Sequence, residues 1–402
     1  MRLLKFIGTF LLVAALLFGL IVGLNWNAFQ VFLNNRTAFF EGIEYAPKVT
    51  SLRGFSEFVA ENGEYASLSS VSIDHPSDSI HLMADIPRAM GATANFFILV
   101  AYAYEFEQGL KNPSESATME ELQPYRTGNL GQPLYNDAFR AAEERGYFQN
   151  GTISLDHLLM ILTEFNEPTI ADFLWWNVEE ETWNWLIDTL DLSYSNMPLP
   201  YSGLYLAMAS AGKEERLSRK VEERNRMDDE EWWNQIKKIS FDYIHSESFR
   251  DSVNTFLRDN RLGITFMEER DGLALFPKIT THKMTEILKV LSRDELVSRE
   301  GSAAIKRWMS WPGMLDQNYI NDDFTQFSAI YDNRMGLLAG ITIGTSAYTG
   351  ETVVQALFLD QLPIGFWFHA SGSHMHQDFM QRLIYDPAMD EQMRLAINRS
   401  IN

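Results

Sequence analysis

The chain has no cysteine in its 402 residues, which excludes disulfides, thiolate metal sites and a cysteine nucleophile. Its compartment stays open on that count. Positive charge is also scarce, with 33 Lys and Arg against 54 Asp and Glu and a formal net charge of −21. A nucleic-acid binder needs a basic footprint to neutralise phosphates, so no nucleic-acid partner is expected. Binding to an anionic lipid surface is disfavoured for the same reason, and the acidity reads as solubility. There is no G-x-G-x-x-G and no Walker pattern, so no nucleotide or other cofactor is implied. Internal repeats, low-complexity tracts and proline-rich linkers are missing too. What is present is 46% hydrophobic and 22% charged, the composition of a folded chain with a substantial core.

A long uncharged run occurs once, at Phe6 to Leu24 (FIGTFLLVAALLFGLIVGL). At 1.5 Å rise per residue it is long enough to cross a bilayer as a helix. Arg2 and Lys5 precede it and the next positive charge is Arg36, which predicts a cytoplasmic N-terminus and an exported remainder. A cleaved signal peptide competes, but Asn25-Trp26-Asn27 offers no small-residue cleavage site. The expected partition is a cytoplasmic tip over 1–5, a transmembrane anchor over 6–24, a stalk over 25–47, one folded domain over 48–390 and a tail over 391–402. This places the protein in the cytoplasmic membrane as a single-pass protein, with its bulk on the periplasmic or extracellular side.

Ser67 to Asp85 alternates around His75-Pro76-Ser77 and predicts a β-hairpin. Phe96 to Leu110 is a strongly apolar helix with Gly109 as its stop. From Ser154 to Asn260 the pattern is helical, starting with Ser154 as a cap and Leu155, Leu158, Leu159 and Leu162 on one face. The charge-dense stretch Lys213 to Lys238 reads as a solvated helix face, with Trp232 and Trp233 its only large aromatics. Strand-like segments return at Phe327 to Tyr331, Leu337 to Ile343 and Val353 to Leu359. A β-rich start, helical middle and β-rich end predict an α+β, mixed α/β layer architecture, its sheet built from both ends of the domain.

Met90 to Gly109, MGATANFFILVAYAYEFEQG, resembles the active-site segment of the class A β-lactamase and D,D-peptidase superfamily, in particular its bacterial serine-hydrolase branch. That segment carries Ser-x-x-Lys at the start of a buried helix, and Tyr102-Ala103 and Gly109 fall in its register. Leu110-Lys111-Asn112-Pro113 is similar to the loop after that helix. Thr152 to Leu174 resembles the segment around the family's Ser-Asp-Asn turn. Phe276-Pro277, Thr280 to Leu291 and Trp311-Pro312 resemble the approach to the Lys-Thr-Gly strand, whose place Ile330 to Gly336 takes. The resemblance implies a β-lactamase/transpeptidase-like fold, an antiparallel sheet with a helical subdomain, over roughly Ser67 to Asp386.

It also implies a chemistry that this chain does not equip. In the family the Ser attacks an acyl carbonyl, the Lys one turn later takes its proton, and Lys-Thr-Gly binds the substrate carboxylate. Here Ala92 stands at the nucleophile position and Asn95 at the base position. The Ser-Asp-Asn turn admits two registers, Glu164-Phe165-Asn166 or Asn166-Glu167-Pro168. Lys-Thr-Gly becomes Arg334-Met335-Gly336, which keeps a cation able to grip a carboxylate. The reading is therefore a pseudoenzyme with vestigial cleft positions Ala92, Asn95, Glu164, Asn166, Arg334 and Gly336. A peptidoglycan-like peptide or an envelope protein is the expected partner. An active hydrolase with Ser371 or Ser373 as displaced nucleophile is the alternative, and a purely structural envelope protein with a self-filled cleft is the third. Further matches are weaker. Ser210-Ala211-Gly212-Lys213 lacks the apolar helix, Tyr194-Ser195-Asn196 is a short match, and His374, His376 and Asp378 would need to converge to hold a metal, whereas a surface turn is expected there. His75 and His81 are read as surface residues, and Trp175, Trp176, Trp183 and Trp185 as core; no metal is expected.

Overall fold

The alternating segment near the start and the three strand-like segments near the end come together in one sheet in the computed structural model, which describes residues 26–127, 132–209, 217–260, 263–310 and 325–401. The strands are β1 (Ala66–Ser72), β2 (Ile80–Leu82), β3 (Thr325–Arg334), β4 (Leu337–Ser346) and β5 (Thr352–Leu359). The sheet has five strands in the order β2-β1-β5-β4-β3, all neighbours antiparallel. Leu68 opposite Leu357 fixes the register where the two ends of the chain meet.

Both faces of this sheet are covered, so β4 and β5 read as continuous apolar runs and not as simple alternation. Leu357 and Leu359 point into one core with Phe55, Phe58 and Phe379. Ala356 and Phe358 point into the other with Phe96, Phe97 and Tyr102. The first core is roofed by the helices Leu52–Glu61, Met375–Tyr385 and Pro387–Ile401. The second opens into the helical subdomain.

At the centre of that subdomain lies the helix Asn95–Glu107, from here the central helix, with Phe96, Phe97, Leu99, Val100, Ala101 and Tyr102 all fully buried. A helix that is apolar all round is stable only inside a protein. It ends as expected: Gly109 adopts φ +66°, a left-handed residue past a helix end. Ser154 caps the helix Leu155–Phe165 by accepting from the His157 amide. The hairpin, the helical middle and the three late strands are thus where the sequence places them.

Other elements differ from expectation. The stalk is packed down: Ala38 is buried, Phe39 stacks on Phe368, and Glu41 is doubly bonded to Arg270. The boundary expected at 390 falls inside the helix Pro387–Ile401, whose Met393 is fully buried. Trp232, Trp233, Ile236, Tyr243 and Ile244 are buried, so the helix Asp229–His245 is amphipathic and not a wholly solvated face. The expected anchor over 6–24 lies outside the described residues; among those described, no helix is long and apolar enough to cross a membrane.

Candidate functional site

The central helix begins in a tight 3-10 turn, Gly91–Ala94, held against the ends of β3 and β4. Two devices position it. Arg88 is buried and spends its guanidinium on Asp360 (2.8 Å), the Ser67 hydroxyl (2.7 Å) and the carbonyls of Gly63 and Glu64. Gly91 has φ +55°, and a Cβ there would run into the Asp332 carboxylate and Leu337. Only glycine meets both conditions cheaply.

At this turn the Ala92 amide donates to Asp332 Oδ2 at 2.7 Å, and Arg334 Nε donates to the same oxygen at 2.7 Å. The other carboxylate oxygen accepts from the Asn333 amide at 2.9 Å. Ala92 is fully buried and Asp332 is 6% exposed. A carboxylate at a helix N-terminus is stabilised by the unpaired amides and the helix dipole there. The side chains of Asp332 and Arg334 meet because residues two apart on a strand share a face.

Arg334 is enclosed further by the Tyr205 hydroxyl (3.0 Å) and by the rings of Tyr201 (5.0 Å) and Phe276 (5.4 Å). Asn95, 1% exposed, accepts from the Tyr201 hydroxyl at 3.5 Å and donates to Asn166 at 3.4 Å. Asn166 in turn donates to the Tyr331 carbonyl at 2.6 Å from a left-handed position, φ +50°. Ala92, Asn95, Asn166 and Arg334 are therefore brought together.

Glu164 and Gly336 are not. Glu164 turns away to a two-pronged pair with Arg145 (2.6 and 2.8 Å). Asn166, which both registers of the turn contain, is the residue beside Asn95, and Glu167 is buried as the cap of the helix Pro168–Trp176. Gly336 sits in the hairpin turn after β3, with φ +73°, against the side chain of Arg270. It lines no strand edge, because β3 ends at Arg334.

Sequence reasoning missed Asp332, Tyr201, Tyr205 and Asp172. The last three belong to one device. The helix Tyr201–Met208 has Pro200 at its cap position, and Asp172 supplies the missing acceptor, taking the amides of Tyr201 (2.5 Å) and Ser202 (2.8 Å). Burial raises the Asp172 carboxyl to about 7, against the hydrogen bonds from Ser202 and Tyr201. Burial also pushes the Tyr201 and Tyr205 phenols up.

The hydroxyls of Tyr201 and Thr93, near Asn95, donate to amide and carbonyl oxygens. The Tyr201 hydroxyl donates to the Asn95 amide oxygen and not to a carboxylate, imidazole or amine. Thr93 donates to the Met90 carbonyl at 2.6 Å. Ser371 and Ser373 lie at the end of the helix Ile364–Gly372 and donate to the carbonyls of Phe368 and Ala370. The expected surface turn is present at Ser373-His374, between two helices and not directly after a strand. His374 is exposed, whereas His376, at the start of the helix Met375–Tyr385, is fully buried and faces Tyr331. The i, i+2 spacing joins side chains on a strand and parts them on a helix. No metal-holding group of His, Asp or Glu occurs among the described residues.

The remaining sequence candidates fall elsewhere. Asn196 bonds the Lys278 carbonyl in a 3-10 turn, and His75 pairs with Glu351 at the surface. Trp175 and Trp183 stack in the core. Ser210 to Lys213 and Trp311-Pro312 lie outside the described residues.

No family model and no curated protein matches the sequence. Solved structures similar to it include a β-lactamase from Sphaerobacter thermophilus, at 12% identity over 83% of this chain and 97% of that one, with TM-score 0.49. A chromosome-encoded β-lactamase of Vibrio parahaemolyticus shows 8% identity over 87% and 98%, TM-score 0.45. A β-lactamase from Chitinophaga pinensis shows 10% over 81% and 98%, TM-score 0.44.

Proposed function

We propose that this chain is a serine-hydrolase-like protein that has abandoned acyl transfer and serves the cell envelope as a binding or structural component. In this reading residues 6–24 hold it in the cytoplasmic membrane with its bulk outside. The observation that carries the reading is the Asp332 carboxylate, bonded at once by the Ala92 amide and by Arg334. The amide of the nucleophile position and the cation of the Lys-Thr-Gly position are the groups with which this site would hold an acyl substrate. Here both are spent on a side chain of the protein itself. A cleft so occupied favours a structural or partner-binding role over capture of a small acyl ligand.

The test is exposure of the full chain, in native membranes, to a fluorescent penicillin, followed by peptide mapping. Neither the wild type nor the double variant Ala92→Ser, Asn95→Lys is expected to be labelled. The restored hydroxyl would still find its own amide taken by Asp332. Labelling of any serine in the wild type, Ser371 and Ser373 included, would overturn the reading. Carbonate washing of the same membranes checks the anchor, since a spanning segment keeps the protein in the pellet.

A further inference from the structure

A cavity lies at the other end of the central helix, around its last turn and not its first. From Ala92 to Phe106 is about 20 Å at the rise of a helix, so this cleft and the Asp332 site are separate. Its volume is about 860 Å³, within the range of sites that take small organic ligands.

Its floor is Phe106 and Trp308, edge to face at 5.9 Å. One wall is aromatic: Tyr147 and His157 lie ring on ring, 4.0 Å apart and 4° from parallel. Burial lowers the His157 imidazole from its ordinary value, which favours its uncharged form. The rim is the hairpin tip Gln149-Asn150-Gly151-Thr152, in which Asn150 and Gly151 take φ +56° and +81°. That geometry fixes the turn and leaves the Gln149 and Asn150 amides at the mouth.

Charge in the cleft is already paired. Asp156 accepts from Trp308 Nε1 at 2.8 Å and from both terminal nitrogens of Arg307. Glu107 and Glu300, both exposed, add negative charge at the edge. An anionic ligand is repelled by these two carboxylates and finds no unpaired cation. The combination of flat aromatic surface, neutral amides and hydroxyls matches a ligand with apolar faces and many hydroxyl groups.

We propose that this cleft is a binding site for a neutral oligosaccharide. The inference does not depend on the fate of the Asp332 site. Isothermal titration of the full chain in detergent, with tetra-N-acetylchitotetraose, maltotetraose and tetralysine as separate probes, tests it. Saturable binding of either sugar is expected, and Asn150→Gly, which keeps the left-handed turn but removes the amide, is expected to weaken it at least tenfold. Tyr147→Leu should do the same by removing the flat ring. Binding of neither sugar, preference for tetralysine, or unchanged sugar binding in Asn150→Gly with an unchanged melting profile would each overturn the proposal.

Discussion

Asp332 and Arg334 form a pair that neither residue can leave without exposing the other. Both are largely removed from water, with side-chain exposures of 6% and 16%. Breaking such a pair from one side strands an uncompensated charge and costs about 3 kcal/mol or more. Asp332→Asn keeps the shape but removes the countercharge, so its urea midpoint is expected to fall by an amount equivalent to about 3 kcal/mol. The double variant Asp332→Asn, Arg334→Met should recover part of that loss, because it removes both charges together. A double variant no more stable than Asp332→Asn would mean that the pair is not what holds the turn. At this scale the sequence was most legible where motif order constrained it: Ala92, Asn95, Asn166 and Arg334, singled out there, lie together at the start of the central helix. Asp332 had a usable signal, since i and i+2 share a strand face and an acid two residues before Arg334 sits beside it. Tyr201 and Tyr205 had none, because the contact joins residues more than a hundred positions apart and no local spacing encodes it.

The helix Tyr201–Met208 shows how one element depends on a buried group elsewhere. Its first two amides are satisfied by Asp172, which belongs to the helix Pro168–Trp176. The Asp172 carboxyl stands at about 7 in the folded chain, against 3.8 ordinarily. A raised carboxyl means that the folded state binds a proton more readily than the unfolded one. Stability from this group is therefore present at low pH and is lost as pH rises from about 4 to about 7. Asp172→Asn removes that titration. The stability difference between wild type and variant, followed by urea unfolding from pH 4.5 to 8, is expected to move in the variant's favour as pH rises. A difference that stays flat across this window would contradict the assignment. Elements were read well where caps and periodicity agree, as at Ser154 and Gly109. They were less legible where the element itself was not evident from the pattern. The i, i+2 spacing of His374 and His376 suits a strand, but a helix starts there. The charge of Lys213 to Lys238 hid the apolar face on which Trp232 and Trp233 are buried.

At the scale of the whole molecule, the sheet is assembled from residues 66–82 and 325–359: β1-β2 and β3-β4-β5 pair locally, but the sheet is complete only once β1 and β5, from the two ends of the domain, have met. Closing so long a loop makes folding slow but leaves the sheet a single cooperative unit. The same logic extends to the end of the described chain. The helix Pro387–Ile401 packs on Leu52–Glu61 across the roof of the sheet, and its Met389, Met393 and Ala396 are 3%, 0% and 4% exposed. Two buried methionines and an alanine contribute about 5 kcal/mol by the transfer scale. A domain of this kind has roughly 5–15 kcal/mol in total. Deleting residues 387–402 removes that contribution and uncovers the face of Leu52–Glu61 on which this helix packs. Truncation there is expected to abolish the sharp thermal transition and to produce dye-binding, aggregating protein. A truncated chain that melts cooperatively within a few degrees of the wild type would show the helix to be an appendage and not part of the roof.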